Sequence, residues 1–166
     1  MKKLPIGIQT FSKIINEDFL YIDKTKYALE LIEKYTYVFL SRPRRFGKSL
    51  FLDTLQEIFE GNKELFKGLY IYDKYQFEEY PVIKISWGGD FKTFEESKQT
   101  AKIILEENQE RLQIDCQIDD SISICFRRLI QEAYKKYQKR VVVLIDEYDK
   151  PILDNLDNPQ RAQENR

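Results

Sequence analysis

Apolar residues recur with helical spacing in four stretches of the chain and run together in three short ones. In "YIDKTKYALELIEKY" either Asp23 or Thr25 can serve as N-cap, and Tyr27, Ala28, Leu31, Ile32 and Tyr35 then fall on one helical face. Residues 49–60 predict a second helix, with Leu52, Leu55, Ile58 and Phe59 on one stripe and Gly61 as its stop. Thr93 and Glu96 match the Ser/Thr-x-x-Glu capping box, and Phe94, Ala101, Ile104, Leu105 and Leu112 lie behind it. Residues 121–138 predict the fourth helix, turning Ile122, Cys125, Phe126, Leu129, Ile130, Ala133 and Tyr137 inward.

The short apolar runs predict strands. Residues 37–40 are most simply a buried strand. "YPVIKISW", ending at Trp87, is a second, since Pro81 is tolerable only at its start and Gly88-Gly89 breaks it. Residues 141–145, Val-Val-Val-Leu-Ile, are too few for a helix and predict a strand covered on both faces. The order helix, strand, helix, strand, helix, helix, strand predicts an α/β fold, a mainly parallel sheet with helices on both faces. Ligands in such sheets bind beyond the carboxyl ends of the strands. Two of those ends carry reactive side chains: Leu40 precedes a Gly-Lys-Ser stretch, and Ile145 precedes Asp146-Glu147.

Composition narrows the chemistry. The 166 residues make about one domain, and the net charge of −1 gives no global pull towards nucleic acid or anionic lipid. Aromatic residues at 14% argue against disorder. There is no histidine, which excludes Ser-His-Asp, Cys-His and His-zinc sites. Cys116 and Cys125 lack metal-site spacing and read as buried thiols of a cytosolic protein. The N-terminal "MKKLPIGIQTF" has no apolar stretch of signal-peptide length, and no apolar run is long enough to span a bilayer. The expectation is a soluble cytoplasmic protein with no membrane partner.

The stretch "VFLSRPRRFGKSLFLDTL" ends like a phosphate-binding loop. A strand–loop–helix supplies backbone N–H donors and the positive end of a helix dipole. Here the loop would be residues 41–46 and the helix would start at Gly47, Lys48 and Ser49. Lys48 would reach the β- and γ-phosphates of a nucleotide, and the Ser49 hydroxyl would ligate magnesium. The usual pattern opens with glycine five residues before Gly47; Arg42 stands there, and Pro43 removes one N–H. The blander alternative is a basic turn closed by a glycine. "VVVLIDE" supplies the complementary half, because in phosphate-loop proteins a buried strand delivers an Asp to the magnesium shell. Asp146 would hold magnesium through water, and Glu147 could orient or deprotonate an attacking water. The alternative is that the two acids merely end a strand and cap the next turn. Arg42, Arg44, Arg45 and Lys48 admit three readings: a solvated loop, added charge on phosphates, or contact with nucleic acid. The second is favoured because the cluster sits inside the loop. A metal-nuclease motif fails, since Tyr148 stands where an acid is needed two residues before Lys150.

Taken together, "LPIGIQTFSKI", "YIDKTKYALELIE", "FLSRPRRFGKSLFLDTL" and "VVVLIDEYDKPI" resemble a bacterial family of AAA-like ATPases over essentially the whole chain. In that family the loop typically reads Gly or Ser, then Arg-Pro-Arg-Arg-Phe-Gly-Lys-Ser/Thr, so the unusual spacing is a family trait. The resemblance implies a P-loop NTPase-type sheet and one ATP-binding domain over residues 1–166. It implies ATP and Mg²⁺ as cofactors, with Arg44, Arg45, Phe46, Gly47, Lys48, Ser49 and Leu50 around the nucleotide. Ser49 and Asp146 would ligate the metal, and Glu147 would be catalytic. Members often continue into a nuclease-like C-terminal domain, and homo-oligomers fit the class. The resemblance also implies a sheet incomplete at its C-terminal side, so the chain alone is expected to expose strand edges and aggregate. Two other functions stay open beside ATP hydrolysis: a non-hydrolysing nucleotide-dependent switch or scaffold, and a nucleic-acid module using Arg42, Arg44 and Arg45.

Overall fold

The computed structural model describes residues 1–41, 43, 45–88, 93–115 and 121–150, and the side chain of Phe94 falls outside that description. The chain forms two compact units, Met1–Tyr80 and Pro81–Arg166.

The first unit is helical. It contains α1 (Phe11–Asn16), α2 (Thr25–Lys34), α3 (Lys48–Phe59) and a 3₁₀ turn at Lys63–Phe66. Its core gathers Phe11, Ala28, Leu29, Ile58, Phe66, Ile71 and Phe77. Phe11 stacks on Phe66 with ring centroids 4.7 Å apart and meets Tyr21 edge-on at 5.1 Å. These aromatic contacts join segments distant in sequence and suit a small unit with little other apolar surface to bury. α1 carries only six residues and is held by α3, whose Asp53 carboxylate accepts the Phe11 N–H at 2.7 Å.

α2 and α3 lie where the periodicity placed them, with one change of face. In α2 the buried residues are Thr25, Ala28 and Leu29, whereas Tyr27 and Tyr35, expected on the inner face, are 60% and 59% exposed. α3 stops as expected: Gly61 N–H bonds Ile58 O and Asn62 N–H bonds Glu57 O, a paired closure that requires the left-handed φ of 78° at Gly61. Residues 37–40 are the larger correction. They form no strand and are exposed, Tyr37 at 92% and Phe39 at 68%. A strand is stabilised by a neighbour, and among the described residues no strand pairs with this run.

The second unit is α/β. β1 (Val82–Ser86) pairs in parallel with β2 (Val142–Asp146), in the register Val82↔Val142 to Ser86↔Asp146. α4 (Phe94–Leu112) and α5 (Ile122–Tyr137) provide the crossover that a parallel pair needs. Their Leu105, Leu112, Cys125, Leu129 and Ala133 close over Ile83, with Ile85, Val141 and Val143 beside them. α4 opens on the expected capping box, Thr93 N–H to Glu96 Oε2 at 2.9 Å and Glu96 N–H to Thr93 Oγ1 at 3.2 Å. Cys125 is a buried free thiol; Cys116 lies outside the described residues. β2 is less covered than its sequence suggests, for only Leu144 is buried and Ile145 is 49% exposed.

Alternate residues of β1 turn their peptide groups away from β2. Pro81 O accepts from Val142 N–H and Trp87 N–H donates to Asp146 O, so Val82 and Lys84 face the outer edge. That edge is closed by α4. Asn108 accepts the Lys84 N–H at 2.8 Å and donates to the Lys84 carbonyl at 2.7 Å, and Arg111 donates to the Val82 carbonyl at 2.6 Å. The Asn108 amide thus stands where a neighbouring strand's peptide would. Among the described residues no helix is long and apolar enough to cross a membrane.

Candidate functional site

In the first unit the candidate residues converge on the start of α3. Gly47 is its N-cap residue, at φ 71° and ψ 30° in the left-handed region, and Lys48 and Ser49 open the helix. The left-handed conformation of Gly47, open to glycine without steric cost, breaks the right-handed helix at this point. The first helical bond is Phe51 N–H to Gly47 O at 3.0 Å. The N–H groups of Ser49 and Leu50 therefore precede the helix's own hydrogen bonding, as a phosphate cradle needs. Arg45 also has positive φ, 67°, which costs a non-glycine residue about 1–2 kcal/mol. Phe46 between them is 60% exposed. Strained backbone of this kind is found where a loop is shaped for a ligand. Arg42 and Arg44, half of the basic cluster, lie outside the described residues.

In the second unit the candidate acids stand at the carboxyl end of β2, beside the carboxyl end of its parallel partner β1. Asp146 is the last residue of β2, half-buried, with Ser86 opposite it. Its Oδ1 accepts the Glu147 N–H at 3.0 Å, and Glu147 turns the chain out of the sheet at φ 52°. The Lys150 N–H then bonds Glu147 O at 3.0 Å, closing the turn. Glu147 is exposed. A methyl placed on Gly88 would lie 3.8 Å from Glu147 Oε2 and 3.9 Å from Ser86 Oγ, so Gly88 keeps the space in front of both groups open. Ser86 and Gly88 escaped the sequence reading. The signal was the glycine pair directly after a strand, taken there only as a strand break.

The donor set suits magnesium-bound polyphosphate. Magnesium keeps several waters and takes one or two carboxylates plus phosphate oxygens, not a closed protein cage. Among the described residues no three His, Cys, Asp or Glu side chains could hold a metal by themselves.

The first unit thus holds a helix that opens Gly-Lys-Ser, and the second is α/β, with a parallel strand pair whose second strand ends at Asp146. The chain belongs to the AAA-ATPase-like family, described as "Predicted AAA-ATPase", whose model matches residues 5–166. It is similar to an uncharacterized protein in the vnfD 5' region of Azotobacter chroococcum mcd 1, with 50% identity over 168 residues. That match covers 99% of this chain and 32% of the relative, so the chain spans about a third of the relative's length. No solved structure matches it.

Proposed function

We propose that the chain is a P-loop ATP-binding domain over residues 1–166 that binds ATP with Mg²⁺ and hydrolyses it in the complete protein. The observation that best supports this is the start of α3: a left-handed Gly47 followed by Lys48 and Ser49 in the first helical turn. In this reading residues 41–49 are a Walker A-type loop and residues 142–147 a Walker B-type strand end. The bound nucleotide and metal supply the leaving group and the charge neutralisation that phosphoryl transfer requires. Lys48 places a positive charge on the terminal phosphates, and the N–H groups of Ser49 and Leu50 donate to their oxygens. The same reading assigns Arg44, Arg45 and Phe46 to nucleotide binding. Ser49 Oγ and Asp146 are the residues that would hold the metal, which would neutralise phosphate charge. Glu147, exposed and with open space in front of it, accepts the proton of the attacking water. A cytoplasmic setting, self-assembly and a nuclease-like domain further along the protein belong to the same reading.

The test separates binding from turnover. Glu147→Gln keeps size and hydrogen bonding and removes the base. It is expected to bind ATP like the parent and to lose at least about a hundredfold in turnover, the usual scale of a general base. Hydrolysis at the parental rate would make Glu147 a turn residue and favour the nucleotide-dependent switch. Salt-sensitive DNA binding with no response to nucleotide would favour the nucleic-acid module.

A further inference from the structure

We infer that Lys24 is a second cation for the terminal phosphates of the bound nucleotide, an inference that rests on the phosphate-loop reading above. The Lys24 ammonium lies over Gly47: a Cβ built on that glycine would meet Lys24 Nζ at 3.8 Å. Lys24 thus reaches the N-terminal end of α3 from another segment of the first unit.

The backbone around Lys24 is anchored on both sides. One oxygen of Asp23 accepts the Thr25 N–H at 2.8 Å and the Thr25 hydroxyl at 2.7 Å. The other accepts the Tyr70 N–H at 2.7 Å. Thr25 is fully buried, and its Oγ1 accepts the Ile71 N–H at 3.2 Å. Asp23 and Thr25 therefore fix the turn against Tyr70 and Ile71, and the Lys24 side chain extends from it to Gly47.

That placement is electrostatically adverse by itself. The N-terminus of a helix is its positive end, where a cation is disfavoured and an anion favoured. Among the described residues no carboxylate pairs with the Lys24 ammonium. A polyphosphate at the start of α3 reverses the sign of the interaction, and its effect grows with the charge it brings. Lys24 therefore contributes more to a triphosphate than to a diphosphate. Its neighbours carry the fold, so the side chain can be changed without touching an anchor.

The experiment is calorimetric titration of the full chain and its variants with ATP and with ADP, magnesium present. Lys24→Gln is expected to weaken ATP by about ten- to a hundredfold, the scale of one charge-assisted hydrogen bond, and ADP by less. Lys24→Arg should recover most of the loss, and the circular dichroism of both variants should match the parent. If Lys24→Gln binds both nucleotides like the parent while Lys48→Ala binds neither, Lys24 is only a surface lysine and the phosphate-loop reading survives. If Lys48→Ala binds like the parent, that reading falls and the role of Lys24 falls with it.

Discussion

Asn108→Ala should be among the most damaging single truncations in the second unit. Asn108 is 3% exposed, and all of its side-chain polar capacity is used. Its Oδ1 accepts from Lys84 N–H at 2.8 Å and from Arg111 at 2.7 Å; its Nδ2 donates to the carbonyls of Lys84 and Ile104, each at 2.7 Å. Alanine removes the partner that α4 provides to both peptide groups of Lys84. Each buried polar group that loses its partner costs about 1–3 kcal/mol. The Ile104 carbonyl keeps its helical bond and loses little. An open polar cleft of about 280 Å³, lined by Lys84, Ser86, Ile104, Glu107, Asn108 and Arg111, lets water replace part of what is lost. The net cost is then about 2–4 kcal/mol. At roughly 2–4 °C per kcal/mol for a chain of this size, the melting temperature should fall by about 5–15 °C. Urea unfolding followed by circular dichroism gives the number, with Glu106→Ala on the exposed side of α4 as control. A loss below about 0.5 kcal/mol, the ordinary range for surface changes, would refute the edge closure as a stabilising contact.

Two further outcomes follow from the first unit. Gly61→Ala should destabilise by about 1–2 kcal/mol through its left-handed backbone alone, and by more because its Cβ would sit 3.1 Å from the Phe77 carbonyl; an unchanged urea midpoint would contradict this. Burial raises the Glu57 carboxyl above its ordinary range, against hydrogen bonds from Asn62 and Ser12 that lower it. A raised folded-state pKa gives stability that is complete below the unfolded value and lost as pH rises through the folded one. Glu57→Gln should therefore gain stability over the parent at pH 7, and the gain should shrink as pH falls towards the ordinary glutamate value of about 4.3. An equal gain at both ends of that range would show that the carboxyl's ionisation is not the cause.

The elements written into local sequence were legible, and those made by distant contacts were not. The capping box at Thr93 and Glu96, the Gly61 stop and the inward stripe of α5 each depend on residues within a few positions of one another. The parallel pair was legible too, because "PVIKIS" and "VVLID" are apolar runs joined by two strongly patterned helices. Residues 37–40 are equally apolar, yet no partner strand is described for them, and apolarity alone does not make a strand. α1 was invisible because six residues carry no period; it exists through Asp53 of α3 and the Phe66 ring. Asn108 looked like a polar helix residue, and its role appears only once the outer edge of β1 lies beside it. At the candidate site, Gly47, Lys48, Asp146 and Glu147 were readable as motifs. Ser86, Gly88 and Lys24 needed the fold, since each gains its position from a segment remote in sequence.

The central claim is that the start of α3 is a nucleotide phosphate site. Titrating the parent chain and Lys48→Ala with ATP, each with magnesium and with a chelator, tests it most directly. The account predicts saturable binding to the parent that weakens sharply without magnesium. It also predicts a loss of about a hundredfold or more in Lys48→Ala, with circular dichroism unchanged, since Lys48 sits half-exposed at the end of a helix rather than in the core. Equal affinity in parent and variant, or no nucleotide binding by the parent at all, would contradict it.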